Sequence, residues 1–299
     1  MEHLVAMNFI TNILLAGLFQ AAVLFLVAAG LQLIFGVQRI INLACGSVYA
    51  LGAYFGITFT TWALAQGLPP YLFPLALLAG GLLIGLVGIP MERVLRLIYR
   101  RPESFQLVLT FALVLMIHDI IHFFWGANPK QLGSLAMVYG SVNLFGVTMP
   151  LYNVMVIVLA MLVAGGMAYF LGRTATGKML RATAENHETS AAMGINVSKV
   201  FLLVFTLGTA LGTVGGALVI PTGVASLEMG VELIVKAFAV VVIGGLGSMK
   251  GAAVGAVIVG LLSTLAVFTY PEVDTLAIYV IVIGMLIWKP SGLYGRIAT

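Results

Sequence analysis

His118, Asp119 and His122 occur as His-Asp-x-x-His, and histidines four residues apart share one helix face, the spacing of a two-ligand metal site. No further ligand cluster accompanies them, and Asp119 also serves as an ordinary partner for an imidazole or for interfacial water. The single cysteine, Cys45, excludes an internal disulfide and a cysteine-based metal centre, so no metal is expected. A second pattern is "GRTATGKML", Gly172 to Leu180, which reads Gly-x-x-x-x-Gly-Lys and then places Met179 where a phosphate-binding loop needs Ser or Thr. A thioether is a poor ligand for magnesium. The segment also follows an apolar helix rather than a strand, so the chain is not expected to bind ATP itself. Nothing resembles a Ser-His-Asp triad or a pair of catalytic carboxylates, and no catalytic residue is expected. The remaining candidates are polar groups inside apolar runs: Gln20, Gln32, Asn42 and Lys236. In hydrocarbon such groups must pair or line water. For the amides, helix-to-helix hydrogen bonding competes with contact to a transported solute. Lys236 either pairs inside the bundle or snorkels toward an interface beside Glu228 and Glu232.

The elements that must position these residues follow from composition. Of 299 residues, 62% are hydrophobic and 8% charged, against about 25% charged in a soluble domain. A membrane-crossing helix needs ~20 mostly apolar residues, and such runs lie near 11–35, 42–65, 71–94, 104–125, 151–171, 201–220, 232–246, 251–269 and 275–289. The fold expected is all-α, a single polytopic bundle of about eight to nine spans over 1–299. The amino terminus lacks the basic residues of a secretory leader, so the first run is expected to be a retained span. With nine spans and an external amino terminus, Arg39, Arg93, Arg96, Arg100, Arg101, Arg173, Lys178, Arg181, Lys199, Lys250, Lys289 and Arg296 all fall on the cytoplasmic side. The net charge of +4 therefore reflects membrane orientation rather than affinity for nucleic acid.

Three segments are irregular. The run 232–246 is too short to cross upright and ends in "IGGLGSMKG", which suggests a discontinuous helix pair. The second span opens with Asn42, Gly46, Gly52 and Gly56, small residues that let helices approach closely. The polar stretch 172–200 is the longest cytoplasmic one, and Ala182 to Met193 fits a short helix with Gly194 as its stop. It is either a docking surface for another protein or a solvated connector.

In this order, "INLACGSVYALGAYFG", "RRPESFQLVLTFAL", "GKMLRATAENHETSAAMGINVSKVFLLVFTLGTALGTVGGALV" and "KAFAVVVIGGLGSMKGAAVGAVIVGLL" resemble the permease subunits of ATP-binding-cassette importers for branched-chain amino acids, the shorter of two types, over residues 10 to 292. The resemblance implies a coupling helix within 172–200 that docks on a separate cytosolic ATPase. "ETSAAMG" looks like a degenerate Glu-Ala-Ala-x-x-x-Gly motif, which nominates Arg181, Glu185, Glu188, Ser190, Ala191 and Gly194 for that contact. It also implies a second related permease, two ATPases that bind the ATP, a periplasmic binding protein contacting Glu228 and Glu232, and residence in a bacterial inner membrane with the carboxyl terminus cytoplasmic. No cofactor of the chain's own is implied. Gln20, Asn42, Cys45, Tyr49 and Lys236 are the expected path residues. Family members commonly carry His in an Asn-x-Ala-His-Gly motif where this chain has Cys45, so the solute could equally be urea, a short amide or an aromatic carboxylate. Two other classes stay open: a stand-alone channel or secondary transporter using Lys236, Asp119 and His118, and a membrane enzyme using His118 and His122. For the transporter, only a weak Gly-rich echo between "NLACGSVYALGAYFG" and "GGLGSMKGAAVGAVIVG" hints at a repeat.

Overall fold

The computed structural model describes residues 2–99, 101–144 and 146–295; Arg100 and Arg296 lie outside them. Its long helices are α1 (Glu2–Gln38), α2 (Cys45–Ala65), α3 (Phe73–Gly85) with α4 (Gly88–Arg96), and α5 (Glu103–Trp125). They continue with α6 (Leu151–Arg173), the short α7 (Ala175–Glu185) and α8 (His187–Ala192), α9 (Val197–Val219), α10 (Met229–Gly244), α11 (Met249–Thr269) and α12 (Asp274–Trp288). Eight segments are long and apolar enough to cross a membrane. The 16-residue α10 is shorter than these and carries the chain from α9 back to the end of α1, where Gln32 meets Gly245. One exception to the all-α expectation is an antiparallel hairpin of β1 (Ser141–Leu144) and β2 (Val147–Pro150), in register from Ser141 opposite Pro150 to Leu144 opposite Val147.

Alternation of the passes gathers the described basic residues of the loops and helix ends, Lys130 excepted, at one end of the bundle, called here the basic end. At that end, polar side chains cap helix starts whose first N–H groups have no partner within the helix. Thr174 Oγ1 accepts from Gly177 N (3.0 Å), Asn186 Oδ1 from Thr189 N (2.9 Å), Asn196 Oδ1 from Lys199 N (3.1 Å) and Ser248 Oγ from Gly251 N (3.1 Å). At the opposite end, Lys130 and Ala225 exchange backbone hydrogen bonds of 2.9 and 2.7 Å beside the hairpin.

The most apolar stretches of α1 and α9 are each 61% buried, whereas those of α5, α6 and α12 are 22%, 17% and 11% buried. A central pair is thus wrapped by helices whose Leu, Ile, Val and Phe side chains face outward, as a lipid-solvated bundle requires. With lipid as apolar as leucine, close backbone approach holds such helices together. Gly30 of α1 meets Gly208 of α9 so tightly that an added methyl group would strike the Gly208 carbonyl, and Gly46 of α2 meets Gly230 of α10 in the same way.

Four expectations change. The run 71–94 remains one span, Pro70–Arg96, but it is not one continuous helix: the α-helical backbone is interrupted at Leu86–Val87, where Pro90 has no N–H to give the Leu86 carbonyl. The second helix starts at Cys45, and Asn42 lies in the turn before it, its Oδ1 accepting from Ala44 N (3.0 Å). The short run near 232–246 is one unbroken helix, α10, ended by Gly245 at φ 95° rather than divided. Residues 182–193 hold a break, because Asn186 adopts extended backbone (φ −151°, ψ 112°) and starts a new helix.

Candidate functional site

Between Arg173 and Val197 the chain makes a helical elbow at the basic end. Thr174 opens α7, and Lys178 and Met179 are helical, so the glycine-rich pattern forms a helix start rather than a phosphate-cradling loop. Gly177 is demanded by packing: a side chain there would strike the Phe170 carbonyl. Leu180 and Thr183 turn inward, and Arg181 reaches back to the Gly172 carbonyl (Nη2···O 3.3 Å). After the Asn186 break, α8 leaves Glu188, Ala191, Ala192 and Met193 exposed, Met193 at 80%. Glu185 is exposed on α7, whereas Ser190 is buried and does not share the outward face. Gly194 stops the helix at φ 86°, with its N–H on the Ala191 carbonyl and the Ile195 N–H on the Ser190 carbonyl. The elbow therefore presents a small, partly apolar, charge-flanked surface to whatever lies beyond the bundle.

His187 is turned toward the bundle, its ring edge-on to Phe201 of α9 at 5.2 Å and 80°. Burial, reinforced by the Arg39 charge, lowers its pKa below the ordinary imidazole value. Phe201 meets Tyr99 on its other side at 5.3 Å and 76°. Burial, together with the neighbouring Glu92 carboxylate, raises the Tyr99 phenol well above its usual range, so it remains a donor. Tyr99 donates to Glu92 Oε1 (3.2 Å), and Arg96 closes on the same fully buried carboxylate at 2.7 Å.

Of the expected path residues, Asn42 and Cys45 share a small crevice with Val27, Leu31 and Ile34 of α1, Val48 of α2, and Gly208, Thr209 and Gly212 of α9. Tyr49 is buried on α2 nearby, and Gln20 is half-buried on α1. Gln32 has a structural partner: its amide donates to the Gly245 carbonyl (2.9 Å) and accepts from Gly247 N (2.5 Å), clamping the α10–α11 loop to α1.

Lys236 neither joins that crevice nor snorkels beside Glu228 and Glu232. Its Nζ donates to Asp274 Oδ2 of α12 (2.7 Å) and Ser263 Oγ of α11 (3.0 Å), while Ser263 donates to Asp274 Oδ1 (2.7 Å). Glu228 precedes α10 and Glu232 occupies its first turn rather than a loop; both are exposed. On α5, His118 Nδ1 lies 3.6 Å from Asp119 Oδ1, with Asp119 86% exposed. Among the described residues no group of three His, Cys, Asp or Glu side chains converges as a metal site would need. Trp125, at the end of the same helix, donates to Thr58 Oγ1 (2.6 Å).

Sequence reasoning missed Glu92, Asp274, Ser263 and Phe201. The spacing Glu92-x-x-x-Arg96 carried an (i, i+4) signal for the first. For Asp274 and Ser263, partners 11 to 38 residues away gave no periodic trace, and for Phe201 the partners Tyr99 and Gln38 are more distant still.

A family model described as "Branched-chain amino acid transport system / permease component" matches residues 13–288. The chain is 27% identical over 280 residues to the high-affinity branched-chain amino acid transport system permease protein BraD of Pseudomonas aeruginosa, covering 91% of both. It is 26% identical over 279 residues to the corresponding permease protein LivH of Escherichia coli, again covering 91% of both. A probable LivH of Methanocaldococcus jannaschii is 28% identical over 289 residues, covering 91% of this chain and 88% of the relative. With the match running from residue 13, within α1, to residue 288, the end of α12, this multi-pass membrane chain belongs to the family of permease components of branched-chain amino acid transport systems.

Proposed function

We propose that the chain forms half of the translocation path of an ATP-binding-cassette importer, with a second related permease as the other half. Two cytosolic ATPases bind and hydrolyse the ATP, and a periplasmic binding protein delivers the solute. In this reading the basic end faces the cytoplasm of a bacterial inner membrane, the amino terminus is periplasmic, and the chain has no ATPase site of its own. The supporting observation is the elbow of α7 and α8: a compact pair of short helices outside the apolar spans, with Ala191, Ala192 and Met193 exposed on a face small enough for close docking. ATP binding by the partner pushes this elbow and switches access to the path as a rigid-body motion.

The relatives' names point to branched-chain amino acids as the solute. The crevice beside Asn42 and Cys45 is walled by the apolar Val27, Leu31, Ile34 and Val48 but holds only about 10 Å³, room for a water molecule, so it must widen during the transport cycle to admit an aliphatic side chain. Glu228 and Glu232, exposed at the start of α10, are the proposed contact for the binding protein.

The test is gentle purification of the tagged chain with mass spectrometry of its companions, then uptake of labelled leucine, urea and an aromatic carboxylate by the recovered complex in vesicles. Recovery of a soluble ATPase and a second permease, with leucine uptake, is expected. Ala191→Arg should insert normally yet lose the ATPase and bring uptake to background. A chain that purifies alone and transports alone sinks the importer reading in favour of a channel or secondary transporter.

A further inference from the structure

Three rings and one buried carboxylate connect the elbow to the transmembrane helices. His187, the first residue of α8, stands edge-on to Phe201; Phe201 stands edge-on to Tyr99; and Tyr99 donates to Glu92. Edge-to-face pairs at these separations favour a defined geometry, unlike contacts between aliphatic chains, which slide at little cost. The far end is anchored. Glu92 is fully buried and held by two Arg96 nitrogens, Nε at 3.1 Å to Oε1 and Nη2 at 2.7 Å to Oε2, while Arg96 Nη2 also donates to the Ser198 carbonyl of α9 (3.3 Å). The residue that carries the middle ring has a second attachment, through its backbone. The Phe201 carbonyl accepts from Gln38 Nε2 (2.8 Å) at the last residue of α1, next to Arg39, whose φ of 55° marks the sharp turn into the segment that carries Asn42. Displacement of α8 therefore has a stiff path to α4 and to the α1–α2 turn beside the crevice.

We infer that Phe201 is a positioning residue of the transport cycle, passing movement of α8 through Tyr99 to the Glu92–Arg96 anchor and through Gln38 to the α1–α2 turn. This rests on the proposal that α8 docks on a partner ATPase. Removing the middle ring leaves docking and the Gln38 bond to the Phe201 backbone intact but uncouples that bond from His187 and breaks the path to Tyr99 and the Glu92–Arg96 anchor.

The assay reconstitutes the full complex in vesicles and measures uptake and ATP hydrolysis separately for Phe201→Leu, Phe201→Tyr and, as a docking control, Ala191→Arg. Phe201→Leu should retain the ATPase subunits and hydrolysis within about two-fold of wild type, with uptake at least ten-fold lower. Phe201→Tyr, which keeps the ring edges, should retain at least half of wild-type uptake. A purely structural role would lower both activities together and leave their ratio unchanged, which overturns the inference, as does normal uptake by Phe201→Leu. If Phe201→Leu is not recovered in the membrane, Tyr99→Leu and His187→Ala, at the two half-exposed ends of the stack, decide by the same ratio. Failure of the docking proposal gives a different pattern: Ala191→Arg then keeps both the ATPase and uptake.

Discussion

Neutralising Asp274 tests how the outer helices are fastened. Lys236 lies seven residues after Met229, the first residue of α10, about 10 Å along the helix at 1.5 Å per residue. Its side chain is 18% exposed and that of Asp274 14% exposed, with 2.7 Å between the charges. Asp274→Asn keeps an amide oxygen for the ammonium but removes its countercharge, and leaving one charge of a buried pair uncompensated costs about 3–5 kcal/mol. Snorkelling of the lysine stem toward the nearer membrane face recovers part of this, so a loss of about 3 kcal/mol is expected. Lys236→Met should cost about 2 kcal/mol, because the remaining carboxylate keeps Ser263 and sits in the first turn of α12, where the helix dipole favours it. The double variant Lys236→Met with Asp274→Leu should lie within about 1 kcal/mol of wild type, since a packed apolar pair replaces a buried ionic one at little cost. Unfolding titrations in mixed micelles for wild type, Lys236→Met, Asp274→Leu and their double variant close a double-mutant cycle that gives the coupling energy directly, with Asp274→Asn measured beside it. Additive singles, or Asp274→Asn within about 0.5 kcal/mol of wild type, would show that the pair fastens nothing. Transport by the double variant separates two roles for the lysine: retained uptake makes Lys236 a fastener, while a stable but inactive double variant returns it to the path.

Gly30→Ala places a methyl group against the Gly208 carbonyl, where backbone faces backbone and neither helix can give locally; overpacking of this kind costs about 1–3 kcal/mol, read as a lower unfolding midpoint, and an unchanged midpoint would deny the close approach. The buried thiol of Cys45 should react slowly with membrane-permeant maleimide at rest and faster during turnover if the crevice opens; a reagent that blocks uptake equally in Cys45→Ser acts elsewhere. Because burial and Arg39 lower the His187 pKa, docking of α8 on α9 favours neutral imidazole: this contribution is fully present above ~6.5, the ordinary value, and is lost as pH falls through the lowered one. Acidifying the compartment at the basic end should therefore reduce uptake, and His187→Phe should flatten the profile; an identical profile in the variant would place the titrating group elsewhere.

Much of the site was legible in the chain because its determinants are local. The Gly194 stop needs only one residue that tolerates positive φ, and the outward position of Ala191 follows from its place in a polar stretch between apolar runs. The failure of the phosphate-loop pattern was also local, since Met179 offers the wrong atom. What misled was continuity. Leu86 and Val87 read as more of an apolar helix, although the break there has a local signal in Pro90, which lacks the N–H that would bond the Leu86 carbonyl; the close fit of Gly85 and Gly88 against α9, more than 100 residues away in sequence, left none.

The sequence by itself determined that this chain lives in a bilayer, roughly where it crosses, and which end carries the positive charge. Each of those properties is a sum over neighbouring residues of their transfer energies between water and hydrocarbon. Only the tertiary structure decided that Lys236 is matched by Asp274, that Gln32 clamps Gly245 and Gly247, and that Phe201 stands between His187 and Tyr99. Those pairings depend on which helices become neighbours, and that is settled by where small residues allow two backbones to meet, as at Gly30 with Gly208 and Gly46 with Gly230.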